Sequence, residues 1–243
     1  MAQLILQNSK LYIAGHDFSG DMNALSLDYG SDLQEDTAFG DDTHSRAGGL
    51  KTILAAHEGF VNLADDGIDE TLFGLIGTAD TPTMICPIAG AENERSYMFL
   101  ANHSEYNPGG AVGEMFQFGV RAEATGDLIQ STVLHNASRT STADGTGRNI
   151  GAVSASQFLY ASIHVFAVSG TSPTLDVILE SDAGDTWTGD ESTRITFAEK
   201  SAISAEWATP VAGEITDAWW RIGWTIGGTD TPTFGFIVSM GIQ

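Results

Sequence analysis

The chain has 243 residues, 42% of them hydrophobic, enough to build one large all-β domain or two smaller ones. Ten Lys plus Arg stand against 32 Asp plus Glu, a formal net charge of −22; this excludes an ordinary nucleic-acid or anionic-membrane surface, which needs clustered positive charge. The single cysteine, Cys86, excludes an internal disulfide framework and a cysteine-rich zinc module.

The opening MAQLILQNSK lacks the basic stretch and long apolar run of a signal peptide, so the expectation is a protein that matures without secretion. The longest nearly apolar run, FLYASIHVFAV at 158–168, is too short to cross a bilayer as a helix, and no membrane partner is expected. A Lys-poor, acid-rich balance suits a protein kept in solution at high local concentration.

Period-two alternation dominates the chain, and 28 glycines with scattered Thr, Ser, Asn and Asp supply turns. Strands are predicted over 10–14, 22–29 and 49–62. Between the last two lies TAFGDDTHSRAGGLK (37–51), which mixes charges of both signs with a lone aromatic and a Gly pair before opening into an alternating strand. DDGIDETLFGLIG (65–77) then breaks the alternation. Ile68, Leu72 and Ile76 fall at i, i+4 and i+8, with Asp66 as N-cap, Asp69 and Glu70 in the first turn and Gly77 as the stop. This predicts one short amphipathic helix, whose acids lack the alternating spacing of a calcium loop.

Strands follow at 95–104, 114–124 and 128–135. In EMFQFGVRAEATGDL, Phe116, Phe118, Val120 and Ala122 share one face while Gln117, Arg121 and Glu123 share the other, as a half-wet antiparallel strand requires. NASRTSTADGTGRN (136–149) has almost no apolar residue and reads as a linker. The predicted organisation is a first domain over 1–136, a linker over 137–149 and a second domain over 150–243. The net charge is −15 up to residue 136 and −7 beyond it.

In the second part, strands are predicted over 157–168, 174–181, 193–198, 218–226 and 233–241. GTSPTLDVILES (170–181) echoes GTDTPTFGFIVSM (228–240), with a weaker third copy at 77–88. Gly-Thr-x-Pro-Thr reads as a hairpin tip, and two such hairpins suggest a compact β-sandwich that folds independently of residues 1–136. Trp219 and Trp220 must point to opposite faces of a strand, one of them into the core. SDAGDTWTGDES (181–192) gathers Asp182, Asp185, Asp190 and Glu191 around Trp187, either a solvated acidic loop or a seat for a cation or sugar ring.

Catalytic signatures are missing. His16, His44, His57, His103, His135 and His164 show no zinc-binding spacing and read as surface and strand histidines, and no nucleophile elbow, P-loop or dinucleotide fingerprint occurs. No cofactor, metal or enzymatic activity is expected.

One resemblance spans about the first 136 residues. Thr37–Asp41 carries a Thr-x-Phe-Gly-Asp core, Gly49–Lys51 a Gly-Leu-Lys step into a long strand, Ile68–Ile76 a short helix, and Val112–Glu114 a Val-Gly-Glu step before a late strand pair. In this order they resemble the major tail tube proteins of long-tailed bacteriophages and related viruses. The resemblance implies an all-β fold with one short helix: a tail-tube-type sandwich or barrel domain, here followed by a second β-sandwich that decorates the tube. It implies homohexameric rings whose strands join into one barrel, stacked between capsid and tail tip. Implied partners are other copies of the chain and the tape-measure, terminator and tip proteins, with synthesis in the host cytoplasm and residence in the virion tail. DNA would pass through without specific binding.

On this reading residues 39–51 are an inter-ring arm, with Phe39 as apolar anchor and Asp41, Asp42, Arg46 and Lys51 as charge contacts. Gln117, Arg121 and Glu123 are the candidate lumen-facing residues, in an acidic channel that repels phosphate. A capsid decoration or head-fibre protein would show a similar acidic two-part β architecture, and Trp187 with its acidic neighbours admits a carbohydrate-binding module.

Overall fold

The computed structural model describes residues 7–40, 42–64 and 67–243. Its elements are strands β1 (Lys10–Ile13), β2 (His16–Asp17), β3 (Met22–Glu35) and β4 (Arg46–Phe60), helix α1 (Ile68–Leu75), then β5 (Thr81–Cys86), β6 (Arg95–Gly109), β7 (Gln117–Ala124) and β8 (Ile129–Arg139). There follow β9 (Ala143–Asp144), β10 (Arg148–Asn149), β11 (Phe158–Asp182), β12 (Ser192–Thr196), β13 (Ser204–Trp207), β14 (Val211–Ala212) and β15 (Trp219–Ile242). The all-β class with one short helix is therefore as the alternation predicts, and no helix of the described residues is long and apolar enough to cross a membrane.

Two compact units divide the chain, and neither is a continuous stretch of sequence. Unit 1 gathers Met1–Gly20, Pro82–Phe99 and Ile129–Gln243; unit 2 gathers Asp21–Thr81 and Leu100–Leu128. This corrects the expected sequential organisation. The expected linker is not one: β8 runs on to Arg139, and β9 and β10 pair with β15 through Trp224↔Ala143, Gly223↔Asp144, Arg148↔Trp220 and Asn149↔Trp219. The segment is polar because backbone and hydroxyl groups hold it in place. Ser141 O accepts the Trp224 indole N–H at 2.9 Å, Thr142 Oγ1 accepts the Ile226 N–H at 3.1 Å, and the Gly145 N–H donates to Ile222 O at 2.7 Å.

Unit 1 is built on one long antiparallel pair. β11 and β15 run alongside each other from Leu159↔Ile242 to Asp182↔Trp219, so the two Gly-Thr echoes are not separate hairpin tips, as the local sequence predicts, but face each other at Thr171↔Thr229. The register slips between Ser169 and Thr174, and Gly170, Ser172, Gly228, Asp230 and Thr231 all take positive φ. There the ribbon turns a corner. Both halves of each strand feed one core: Leu159, Ile163 and Val165 with Leu175, Val177 and Leu179 from β11, and Trp220 and Trp224 with Phe234, Phe236 and Met240 from β15. The two halves thus pack as the layers of a sandwich.

The corner needs glycine on both strands. At φ +109° a Cβ on Gly170 would lie 2.8 Å from Pro232 Cα, and at φ +115° one on Gly228 would lie 2.9 Å from Ser172 O. Gly228→Ala is expected to cost about 1–3 kcal/mol through left-handed strain and backbone contact, read as a shift in the denaturant midpoint at unchanged slope; an unaltered midpoint would show that the corner yields.

Trp220 is fully buried and its indole donates to Gly151 O at 2.8 Å, while Trp219 is half-buried, so the tryptophan pair splits as alternation requires. On the other side of β15, β8 pairs from Met240↔Thr132 to Phe234↔Arg139. A second small core joins Tyr12, Met84, Cys86, Val133 and Ile237. Burial, the largest cause, pushes the Cys86 thiol up to about 12, which makes it a core residue and not a nucleophile.

Candidate functional site

Unit 2 carries the segment singled out in the sequence. Its strands lie in the order β3, β4, β7 and the outer part of β6, all antiparallel. On β4, Ile53, Ala55 and His57 point inward and are buried, as are Phe118, Val120 and Ala122 on β7 and Ala101 and His103 on β6. α1 adds Ile68 and Leu72, both fully buried. The helix stops at Leu75, Ile76 is half-exposed beyond it, and Gly67 is its N-cap; the predicted cap, Asp66, lies outside the described residues. Tyr106 Oη donates to Asp69 in the first turn at 2.7 Å.

The opposite face of this sheet is wet. The register sets Asp28 beside Leu54 and Leu54 beside Glu123, Ala56 beside Arg121 and Arg121 beside Glu105, and Phe60 beside Gln117. Gln117, Arg121 and Glu123 are all exposed and share this face with Asp28, Glu58 and Glu105. Arg121 Nε lies 3.3 Å from Glu123 and is the one cation among these six residues, so the face is acidic. A shallow groove of about 320 Å³ crosses it, with Asn23, Glu58, Asn107 and Gln117 among its lining. Phe116, expected on the inward face, is 47% exposed, because β7 begins only at Gln117.

Residues 37–51 form the tip and returning limb of a hairpin that outruns the sheet. Among the described residues β7 covers β4 only from Leu54 to Phe60; beyond that, Tyr29–Glu35 and Arg46–Ile53 pair with each other alone. At about 3.3 Å per residue this two-stranded ribbon extends roughly 25 Å. Tyr29, Leu33 and Leu50 are exposed on it, and at its tip Phe39 is fully exposed at 112%. Asp42, Arg46 and Lys51 are exposed; Asp41 lies outside the described residues. The loop is internally ordered: the Asp36 N–H donates to Ser45 O at 3.1 Å, the Ser45 N–H donates to Thr37 Oγ1 at 3.1 Å, and His44 Nδ1 meets Glu35 at 2.7 Å. A hydrogen bond to Tyr29, ahead of Asp127, holds the Lys51 ammonium above its ordinary range.

The far end of the sheet carries a second exposed apolar group. The loop from β6 to β7 presents Val112 (107% exposed), Met115 (64%) and Phe116. Because Phe60 lies opposite Gln117 and the Val61 N–H donates to Phe116 O at 3.0 Å, this loop sits at the end of β4 remote from the arm. Nothing in the alternation of either segment revealed that pairing of ends. Both outer strands are open as well: among the described residues β3 pairs only with β4, and β6 from Glu105 to Gly109 only with β7.

The acidic loop of unit 1 is knitted to itself. Asp182, Asp190 and Glu191 bring carboxylate oxygens within 4.8 Å of one another, yet Asp182 accepts the Gly184 and Trp187 N–H groups at 3.0 and 3.2 Å. Arg221 bonds Glu180 at 3.0 Å and Glu191 at 3.3 Å and lies 4.3 Å from the Trp187 ring. One face of the tryptophan ring is thereby occupied by a guanidinium.

Four of the six histidines lie buried on strands: His57, His103, His135 and His164 are at most 1% exposed. His164 Nδ1 accepts the Gly15 N–H at 3.3 Å and His135 Nδ1 lies 3.1 Å from Glu92, whereas His57 and His103 have no hydrogen-bond partner on any ring nitrogen among the described residues.

No family model matches the chain, and the comparison with curated proteins gives no match. Among solved structures the chain is similar to SPP1 Dit (gp 19.1), described as a paradigm of the hub adsorption apparatus in phages infecting Gram-positive hosts, at 9% identity over 98% of this chain and 100% of that one, with a TM-score of 0.39. It is similar to a chain in the virion of a native gene transfer agent particle, at 11% identity over 45% of this chain and 84% of that one, TM-score 0.39. A chain of the anti-feeding prophage baseplate follows, at 8% identity over 54% and 97%, TM-score 0.36. Each belongs to a virion, tail or baseplate structure; with TM-scores below 0.5 these likenesses assign no role to the chain.

Proposed function

We propose that the chain is a non-enzymatic structural subunit of a phage-like virion tail, a major tail tube subunit whose copies close into rings and stack head to tail. The observation that carries this reading is the placement of two uncovered apolar groups, Phe39 at one end of the unit 2 sheet and Val112, Met115 and Phe116 at the other. A two-stranded ribbon is at best marginally stable alone in water, so an arm exposing Tyr29, Leu33, Leu50 and Phe39 calls for a partner. Groups at opposite ends make a heterologous contact, which propagates as an open stack. The open edges of β3 and β6 are the complementary feature for ring closure, since pairing between copies removes exposed strand edges. The resemblance of residues 37–51 and 112–114 to tail tube proteins points the same way. Purified protein raised in concentration is expected to form rings or hollow rods by electron microscopy; a monodisperse monomer under all such conditions would count decisively against the reading.

In such a ring the acidic face with Gln117, Arg121 and Glu123 lines the channel, where it repels phosphate so that DNA slides without binding. Glu123→Lys in every copy places a ring of cations at each level. Tubes are expected to form normally while genome ejection slows at low salt and recovers as salt rises. Wild-type ejection rates at low salt would remove Glu123 from the channel wall.

A further inference from the structure

His57 of β4 and His103 of β6 stand on either side of β7, opposite Val120 and Ala122 respectively, with ring centroids 6.5 Å apart and planes at 76°. Both are 1% exposed, and all four ring nitrogens lack a hydrogen-bond partner among the described residues. A structural histidine ordinarily satisfies at least one nitrogen, as His164 and His135 do in unit 1. This pair is packed among apolar neighbours: Leu25 of β3 lies beside His57, and Ile76, just past α1, bridges His103.

We propose that the His57–His103 pair is an acid-sensitive latch, in which neutral rings hold β4, β6 and β7 closed and their protonation opens unit 2. No charged group among the described residues pairs with either ring. Glu58, Glu105, Arg121 and Glu123 lie on the wet face, Asp28 of β3 shares that face, and on α1 Asp69 is engaged by Tyr106 while Glu70 is exposed. Two cations at this spacing would also repel each other in a low-dielectric interior.

Burial, followed for His57 by the neighbouring His103, lowers the two groups to about 3 (His57) and about 4 (His103) from an ordinary 6.5. The sign follows from linkage. The unfolded chain takes up both protons as pH falls through 6.5, and the folded unit does not until about 4 and below. Stability is therefore full above pH 6.5 and is lost progressively beneath it, with up to a tenfold fall in the folding equilibrium constant per pH unit for each group. On the tail-subunit reading, opening unit 2 would release the strand that bears the arm, so acid would dissolve tubes; the test below uses unassembled protein and is independent of that reading.

His164 in unit 1 is also buried and held at about 3, so a whole-chain melt would not isolate the pair. Residue-resolved hydrogen exchange and histidine NMR between pH 8 and 4.5 would. The expected result is that amides of 53–60 and 100–106 lose protection by up to about 100-fold per pH unit below 6, after correction for intrinsic rates. Both imidazoles should take their protons only as that protection goes. The double variant His57→Leu/His103→Leu should flatten this dependence. An imidazole that protonates near pH 6.5 in a still-protected unit 2, or a variant with the wild-type acid dependence, would overturn the proposal. Should the variant fail to fold, the wild-type titration decides alone, since non-coincident protonation and opening would equally overturn it.

Discussion

Replacing Asp36–Ser45 with Asn-Gly is expected to yield a folded subunit that no longer lengthens into tubes. Glu35 and Arg46 are directly opposite in the register, so a two-residue turn closes the ribbon without shifting any pair between Tyr29–Glu35 and Arg46–Ile53. The described residues of the excised stretch contribute nothing to the core. They are exposed, and what is lost includes the short hydrogen bonds among Asp36, Thr37 and Ser45 and the exposed contact of His44 with Glu35. A change in stability within about 0.5 kcal/mol is expected for such a surface alteration. Assembly is another matter. Burying a phenylalanine contributes about 1.5–3 kcal/mol, and Phe39 would contribute it once per copy around each ring, so its loss multiplies over a multivalent contact. Sedimentation velocity and negative-stain microscopy read both halves of the expectation. Tubes of normal length from the shortened protein would end the role of the arm in stacking.

Truncation after Asn136 is expected to destroy unit 1 and not to release a self-sufficient domain. The fragment would keep β1, β5 and most of β8 but lose β11 and β15, against which β8 pairs from Thr132 onward. The core around Tyr12, Met84, Cys86 and Val133 would lose Ile237 and the packing of Phe166. Unit 2, whose residues 21–81 and 100–128 all lie within the fragment, retains its strands, so the expected product aggregates through exposed unit 1 strands. A milder version isolates the core itself. Trp220→Ala removes a fully buried indole and its bond to Gly151 O, an expected loss of about 3–5 kcal/mol in the full chain. A soluble fragment with protected amides at 82–86 and 129–136 would show that β15 is dispensable.

Alternation along the chain was enough to mark the long strands and the wet face of β7, but not β5 or the short strands β2, β9, β10, β13 and β14. In "TILAAHEGF", His57 shares the parity of Ile53 and Ala55 and is buried with them, but Leu54, Ala56 and Phe60 are apolar on the opposite parity, so the spacing did not by itself choose the buried side. The split of Trp219 from Trp220 and the exposure of Gln117, Arg121 and Glu123 follow from the same two-residue period. The short helix follows instead from a break in that period, where Ile68 and Leu72 recur at helical spacing. Composition likewise marked residues 37–51 as a segment without a core face.

Partner choice was beyond the reach of that period, because a strand's alternation records which side is buried but not which strand lies next to it. Only the tertiary structure decides that Gly170 and Gly228 are facing corners of one folded ribbon and not the tips of two hairpins. The same local chemistry, positive φ beside a stiff proline, serves either role. The polar run 137–149 carries no apolar stripe because β15 holds it through backbone, indole and hydroxyl groups, an interaction with no signature in hydropathy. The interleaved units arise in the same way: β15 returns from the end of the chain to pair with β8, and that pairing buries Ile237 against Tyr12 and Val133. The opposition of Phe39 to Val112, Met115 and Phe116 across the length of one sheet depends on the registers Phe60↔Gln117 and Leu54↔Glu123, non-local pairings that only the folded chain specifies.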